Sequence, residues 1–447
     1  MSSDSAPPTV PRPILRSLRD ALRTAASAQT DPEAARDLLG LCDTVLLRLQ
    51  WGPDPTRTDL PDPNAVGHLQ EDCRGLQAND EGARAAAGGR LRALMECEAS
   101  RLEEHEARLA RAVDEPAATS GQISAAAVRE YLLRHSRIEL RSCTQIPGGR
   151  SKVTLILELA QVSSGVAALL PAELVLRCDR PGSAQATTVC DEFPVLRAMY
   201  RAGAPAPEPL WVESDAGPLG APFLLMRRMP GSPCGDYWNV GSAGAPHARA
   251  LAQALARIHG VAPATAWPGA PATARESTAA LLTRYETSWR ALGIPSITLE
   301  CSYTWLRARL DCLTGASVPV HGDVHFANVL FEGERISCLT DWEFTHPGHV
   351  AEDLAFCRSY IERILPWTEF MAAYAAAGGR EVSDAELRFF SVWAYLRNAT
   401  LGTLALRSVL VDAAPDIRTV AIALHSRARL EASLARTLAG ELPVQPA

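Results

Sequence analysis

A chain of 447 residues with 47% hydrophobic content is long enough for two or three domains, each burying its own core, and its net charge of -7 argues against the clustered basic surface that binds nucleic acid. No apolar run reaches the roughly 18 residues of a membrane-spanning helix, and the opening "MSSDSAPPTVPRP" lacks the apolar segment of a secretory signal. Eleven cysteines, an odd number with no C-x-x-C pair, suggest neither a disulfide framework nor a thiolate zinc site. The expectation is a cytoplasmic protein with reduced thiols and with no nucleic-acid or membrane partner.

Residues 1–11 are Ser/Pro-rich and predict a disordered tail. Helical periodicity then runs from 12 to 114: "PILRSLRDALRTAASA", then "TDPEAARDLLGLCDTVLLRLQ" with Asp31 as N-cap and Pro32 at the first helical position, then "EGARAAAGGRLRALMECEASRLEEHEARLARAV". These stretches predict an all-helical N-terminal region that serves a homodimer contact, a protein partner or simple packing. "DEPAATSGQ" reads as its boundary.

The pattern then changes. Ser124 caps a short helix, "AAAVREYLLRHS", and "IELRSCTQIPGGRSKVTLILELA" predicts two strands joined by a glycine turn. A strand ("PAELVLRCDR"), a helix ("TVCDEFPVLRAMYRAG") and two more strands ("PEPLWVES", "APFLLMRRM") follow, and from Gly241 onward the reading is mostly helical. The exception is "VPVHGDVHFANVLFEGERISCLTDWEF", whose charged residues interrupt apolar runs that read as strands.

In that stretch Asp323 and Asn328 stand at the spacing of a phosphoryl-transfer catalytic loop, in which the Asp accepts a hydroxyl proton and the Asn holds a metal. "VLFEGERISCLTDWE" predicts a hairpin that returns Asp341 to the side of Asn328. One carboxamide and one carboxylate suit Mg²⁺, which takes oxygen ligands and draws others from water and phosphate. Two other readings compete: loop-capping Asp and Asn with a purely structural hairpin, and zinc held by His321 with His325 or His346 with His349.

"HGDVHFANVLFEGERISCLTDWEFTHPGHVAEDLAF" resembles the signature of the aminoglycoside phosphotransferase and choline kinase-like superfamily, in particular the branch related to kinase domains fused to some acyl-CoA dehydrogenases. The similarity covers about 124–433. It implies an α+β, bilobal protein-kinase-like fold: a small β-rich N-lobe over 124–229 ending in a hinge, and a mostly helical C-lobe over 230–440. It further implies Asp323 as catalytic base, His321 ordering the catalytic loop, Asn328 and Asp341 binding Mg²⁺, and Asp353 packing its helix behind the site.

In a kinase-like N-lobe an ion pair between a strand cation and a helix acid positions the phosphates. Arg177 and Glu192 fit it, in a chain whose only lysine is Lys152. Gly148, Gly149, Ser151 and Lys152 fit the phosphate-covering turn, and the backbone from Met226 to Met229 fits the adenine-binding hinge. Two positions depart from the resemblance: Arg227 stands where relatives often carry Glu, and His349 follows Gly348 where relatives often read Gly-Asp-Pro.

The expected function is transfer of the γ-phosphoryl group of ATP, with Mg²⁺, to a hydroxyl of a small molecule, such as a hydroxylated acyl or carboxylic compound or an aminoglycoside-like one. The alternative is a nucleotide-binding regulatory pseudokinase whose helical N-terminal region recruits a partner.

Overall fold

The computed structural model describes residues 123, 125–146, 152–160, 170–179, 187–217, 219–236, 239–294, 296–411, 423 and 427–441, together with Arg92. The expected tail, the helical region over 12–114 and the turn residues Gly148, Gly149 and Ser151 lie outside them. The described residues within 120–280 and 311–390 form one compact unit, and those within 281–310 and 391–441 belong to another.

The first unit begins with α1 (Ala125–Ser136) and an antiparallel sheet of β1 (Leu140–Gln145), β2 (Lys152–Leu159), β3 (Glu173–Asp179), β4 (Pro209–Glu213) and β5 (Phe223–Arg227), in the order β1-β2-β3-β5-β4. Alternation along β2 and β3 sends Leu155, Leu157, Leu174 and Leu176 inward, where Val128, Tyr131 and Leu132 of α1 join them, with Tyr131 edge-on to Phe223. Between β3 and β4 lies α2 (Val189–Arg201). It starts with a capping box in which Thr188 accepts from Asp191 N and Asp191 accepts from Thr188 N.

The remainder of this unit is mostly helical. The long helix α3 (Ala245–His259) and the first turns of α4 (Ala274–Arg290) come first, and α6 (Ala351–Ile361), α7 (Trp367–Ala376) and the first turns of α8 (Asp384–Val411) follow a set of short strands. Strand β6 (Val318–Val320) pairs with β9 (His346–Gly348), and β7 (Val329–Glu332) forms a hairpin with β8 (Arg335–Leu339). Gly333, at φ 61°, takes the first position of the two-residue turn between β7 and β8, a conformation that suits glycine.

The second unit holds α5 (Ile297–Arg307) and α9 (Arg427–Glu441) with parts of α4 and α8. Its aromatic centre stacks Trp289 on Tyr303 and sets Tyr285 edge-on to Trp393, while the Tyr303 hydroxyl bonds Thr400 Oγ1 at 2.9 Å. No helix among the described residues is long and apolar enough to cross a membrane.

Candidate active site

The catalytic loop leaves β6 at His321 and is pinned from behind by one buried carboxylate. Asp353, in the first turn of α6, accepts hydrogen bonds from His321 N (2.9 Å) and Gly322 N (2.8 Å), and its Oδ2 lies 3.1 Å from His259 Nε2. Burial alone would raise this carboxyl's pKa, but the bonds from His259 and from the loop hold it below the usual carboxylate range. His259 closes α3, and its Nδ1 meets the Tyr374 hydroxyl at 2.8 Å where α3 packs on α7. Gly322 is required here: its φ is 82°, and an added Cβ would stand 2.7 Å from the Phe344 carbonyl oxygen.

His321 spans two segments of the site. Its Nε2 donates to the Thr340 carbonyl at 3.0 Å and its Nδ1 accepts from Asp323 N at 3.3 Å, the pattern of a neutral imidazole. Burial pushes its pKa down, which keeps it neutral.

Asp323, Asn328 and Asp341 come together through the hairpin. A 3-10 turn over Phe326–Asn328 feeds β7, and Asn328 Nδ2 donates to Asp323 Oδ2 (2.9 Å) and to the Asp323 carbonyl (3.1 Å). His325 Nε2 lies 3.3 Å from the same Oδ2. Thr340 N donates to the Asn328 carbonyl at 2.8 Å, which sets Asp341 next to the amide. Asp341 itself has φ 62°, the left-handed region that non-glycine residues enter mainly as Asp or Asn and often at functional sites. Among the described residues, Asn328 Oδ1 and Asp341 Oδ2 accept no hydrogen bond, so two oxygens of the type a hard cation takes stand on neighbouring residues.

Facing them is a buried ionic network. Arg177 on β3 donates from Nη2 to Asp341 Oδ1 at 2.8 Å, and its Nε lies 3.7 Å from Glu192 Oε2 on α2. Burial opposes the guanidinium's charge, but Asp341 and Glu192 outweigh it and hold the pKa above the ordinary arginine value. Burial pushes the Glu192 carboxyl up against the pull of Arg177 and Lys152. We regard this carboxyl as ionised, because it lies between two cations, with Lys152 Nζ at 3.5 Å from its other oxygen.

The structure gives Lys152 a different setting from the expected turn. It opens β2, and its ammonium is turned to Asp179 Oδ1 (2.6 Å) and the Thr187 carbonyl (2.7 Å). Met226 lies buried in β5 opposite Val175 and Pro209, and Met229 follows two residues beyond the strand. The Arg227 departure is absorbed locally, since its side chain pairs with Glu208 and its N–H bonds the Glu208 carbonyl at 2.9 Å.

A family profile, APH, described as the phosphotransferase enzyme family, matches residues 142–390. The chain belongs to this family. It is 27% identical over 220 residues to acyl-CoA dehydrogenase family member 11 of Rattus norvegicus, a match that covers 47% of this chain and 27% of that one. It is 30% identical over 207 residues to acyl-CoA dehydrogenase family member 10 of Mus musculus, covering 42% of this chain and 18% of that one. The chain therefore spans about a quarter or less of the length of these relatives. A crystal structure described as a candidate aminoglycoside phosphotransferase, from Ralstonia eutropha JMP134, superposes with a TM-score of 0.50 at 18% identity, covering 72% of this chain and 99% of that one. The last match establishes the kinase-like α+β fold.

The second departure from the family pattern, His349, has its own buried network. Its Nδ1 accepts from Ala351 N at 3.0 Å, its ring stacks on Phe390, and its Nε2 lies 2.9 Å from Glu386 Oε1, with Arg380 also in contact. It thus satisfies an N–H at the start of the helix that carries Asp353. His346 Nε2 is paired with Glu352 instead, and among the described residues no group of three or more His, Cys, Asp and Glu side chains is gathered as a metal set.

Burial, with Arg380 beside it, pushes the His349 pKa from 6.5 down to about 4. Burial would raise Glu386, but the Ser383 N–H, His349 and Thr314 hold it at about 2. Between 6.5 and about 4 the unfolded chain binds more protons at His349 than the folded one, so stability falls as pH falls through that window, and Glu386 adds to the loss below its ordinary value of 4.5. Thermal melts should drop between about pH 7 and about pH 5, and His349→Gln should flatten that slope. An unchanged slope in the variant would remove His349 as its source.

Sequence reasoning missed His259, Tyr374, Asp179, Thr187 and Glu386. Only His259 carried a signal, a polar residue at a core position of the amphipathic stretch "ALARIHG".

Proposed function

We propose that this protein is a small-molecule kinase, transferring the γ-phosphoryl group of ATP to a hydroxyl of its acceptor. The observation that carries the reading is the meeting of two hydrogen-bonded pairs, Asn328 with Asp323 and Arg177 with Asp341, set side by side by the Thr340 N–H bond to the Asn328 carbonyl, with Arg177 and Asp341 164 residues apart in the chain. Asp323 receives the acceptor's hydroxyl proton as that oxygen attacks the γ-phosphorus and the bond to the leaving ADP oxygen breaks. Asn328 holds that carboxylate in orientation through its Nδ2, and His321 and Asp353 hold the loop beneath it. Asn328 Oδ1 and Asp341 would hold Mg²⁺, which when bound neutralises charge on the phosphates. Arg177 clamps the phosphates from β3, Glu192 orients it, and the backbone near Met226 to Met229 takes the adenine. His321 acts by ordering the loop, and Gly148, Gly149 and Ser151 belong to the segment that covers the phosphates.

For the acceptor, the similarity to acyl-CoA dehydrogenase family members supports a hydroxylated acyl or carboxylic compound over an aminoglycoside-like one. The test is a panel of hydroxyl compounds incubated with the protein, ATP and Mg²⁺ and read by mass spectrometry. One compound should gain a single phosphoryl group, and the Asp323→Asn variant should abolish the gain. Nucleotide binding with no product across acyl, sugar and amino-alcohol hydroxyls would replace this reading with the regulatory pseudokinase. Arg177→Met, which keeps the stem and removes the fork, should weaken binding of the ATP analogue AMP-PNP by about tenfold or more, read by calorimetric titration. Wild-type affinity in that variant would remove Arg177 from the phosphate site.

A further inference from the structure

Of the 44 basic residues in this chain, Lys152 is the single lysine and all others are arginine, including Arg177 at the phosphate position. Lys152 is also among the largest fully buried side chains, at 2% exposure. Its ammonium meets Asp179 Oδ1 at 2.6 Å, the Thr187 carbonyl at 2.7 Å and Glu192 Oε1 at 3.5 Å. Two hydrogen-bond acceptors and a third carboxylate oxygen at ion-pair distance around one nitrogen suit a compact tetrahedral ammonium, whereas a planar guanidinium spreads its donors over a wider fork.

Each partner leads to a different part of the site. Asp179 also accepts from Val189 N at 3.2 Å, the first residue of α2. Thr187 donates its hydroxyl to the Glu343 carbonyl at 2.6 Å, two residues beyond Asp341. Glu192 is the acid that faces Arg177, yet the two stand 3.7 Å apart while Arg177 bonds Asp341 at 2.8 Å. A buried carboxylate with one cation would draw that cation into contact; a second cation relieves the demand.

We infer that Lys152 is a positioning residue: it neutralises Glu192 and ties the start of α2 to the loop carrying Asp341, leaving Arg177 free to exchange Asp341 for a phosphate. Only the last clause rests on the phosphotransferase reading. The division of labour explains why one lysine stands in a chain that otherwise uses arginine.

Two arms test this on the full chain. Without nucleotide, Lys152→Met should quicken amide hydrogen exchange over 188–192 and 341–344 relative to the rest of the described residues, and unchanged exchange there overturns the inference whether or not nucleotide binds. With nucleotide, Lys152→Met should weaken AMP-PNP binding in Mg²⁺ by about tenfold, and adding Glu192→Gln to it should recover part of that loss, because the unpaired buried charge is gone. Lys152→Arg should not rescue. Wild-type affinity in Lys152→Met, or a double variant no better than the single one, overturns it as well.

A single lysine also gives a single side-chain ammonium resonance when the Nζ of lysine alone is labelled with ¹⁵N. Glu192→Gln should shift that resonance without nucleotide, and AMP-PNP should shift it in the wild type as Arg177 moves. If Lys152→Met does not fold, Thr187→Val removes only the hydroxyl link to Glu343, and unchanged exchange over 341–344 in that variant then decides against the inference. A wild type that binds no AMP-PNP would sink the phosphotransferase reading while the nucleotide-free arm still decides the role of Lys152.

Discussion

Asp323→Asn should lower phosphoryl transfer by about 10²- to 10⁴-fold while nucleotide affinity and thermal stability stay near wild type. The substitution keeps the side chain's shape, and a carboxamide oxygen can still accept from Asn328 Nδ2, which now meets Asp323 Oδ2 at 2.9 Å. The loop is held by other atoms, namely the bonds from His321 N and Gly322 N to Asp353, so removing the charge on Asp323 does not release it. What disappears is the capacity to take the hydroxyl proton. Initial rates of product formation, with AMP-PNP titrations on the same preparations, separate the two effects. A variant that transfers at more than about a tenth of the wild-type rate would show that another group, or water, takes the proton.

Asp353→Ala should be the most destabilising single change in this part of the chain, by about 3–5 kcal/mol, because it strands the His321 and Gly322 N–H groups and the His259 ring in a buried site. For a folded unit of this size that corresponds to a melting temperature lower by about 10 °C. Asp353→Asn keeps the volume but offers one acceptor oxygen where two N–H groups converge, so it should fall between alanine and wild type. The pH dependence follows from the same bonds. The folded carboxyl's pKa is depressed, so its contribution is present above the unfolded carboxylate pKa and is lost as pH falls through the folded value. Tyr374→Phe removes only the outer hydroxyl of the relay and should cost about 1 kcal/mol. Melts of the three variants give the ranking, and an Asp353→Ala protein as stable as Tyr374→Phe would mean that the loop is held by something else.

The parts of this site legible in the sequence are those set by local arithmetic. Asp323 and Asn328 lie on one short turn, and a hairpin with a two-residue turn at Gly333 returns the chain beside Asn328, so the place of Asp341 could be counted out. The pairing of Arg177 with Glu192 came from the strand cation and helix acid that a kinase-like N-lobe implies. Partnerships that depend on packing were not legible. His259 reaches Asp353 across 94 residues and Tyr374 across 115, and no spacing rule connects a residue at the end of α3 with one on α7.

Lys152 shows the difference most clearly. Beside Gly149 and Ser151 it reads as part of a phosphate-covering turn, but the register of β2 against β3 pairs it with Asp179 and turns its ammonium into the ionic network. His349 reads as a departure from the Gly-Asp-Pro pattern of the family it resembles, and its imidazole occupies the start of α6 by accepting from Ala351 N. In both cases the residue type was visible and its partner was not.

The most direct test of the central claim is the titration of AMP-PNP into the wild type and into Asp341→Asn, each with and without Mg²⁺. Asparagine tolerates the left-handed backbone at this position, so the variant changes the ligand and not the loop. The account predicts that wild-type binding tightens by about tenfold or more with Mg²⁺ and that this gain disappears in Asp341→Asn. Binding indifferent to Mg²⁺, a gain of equal size in the variant, or no binding at all would contradict it.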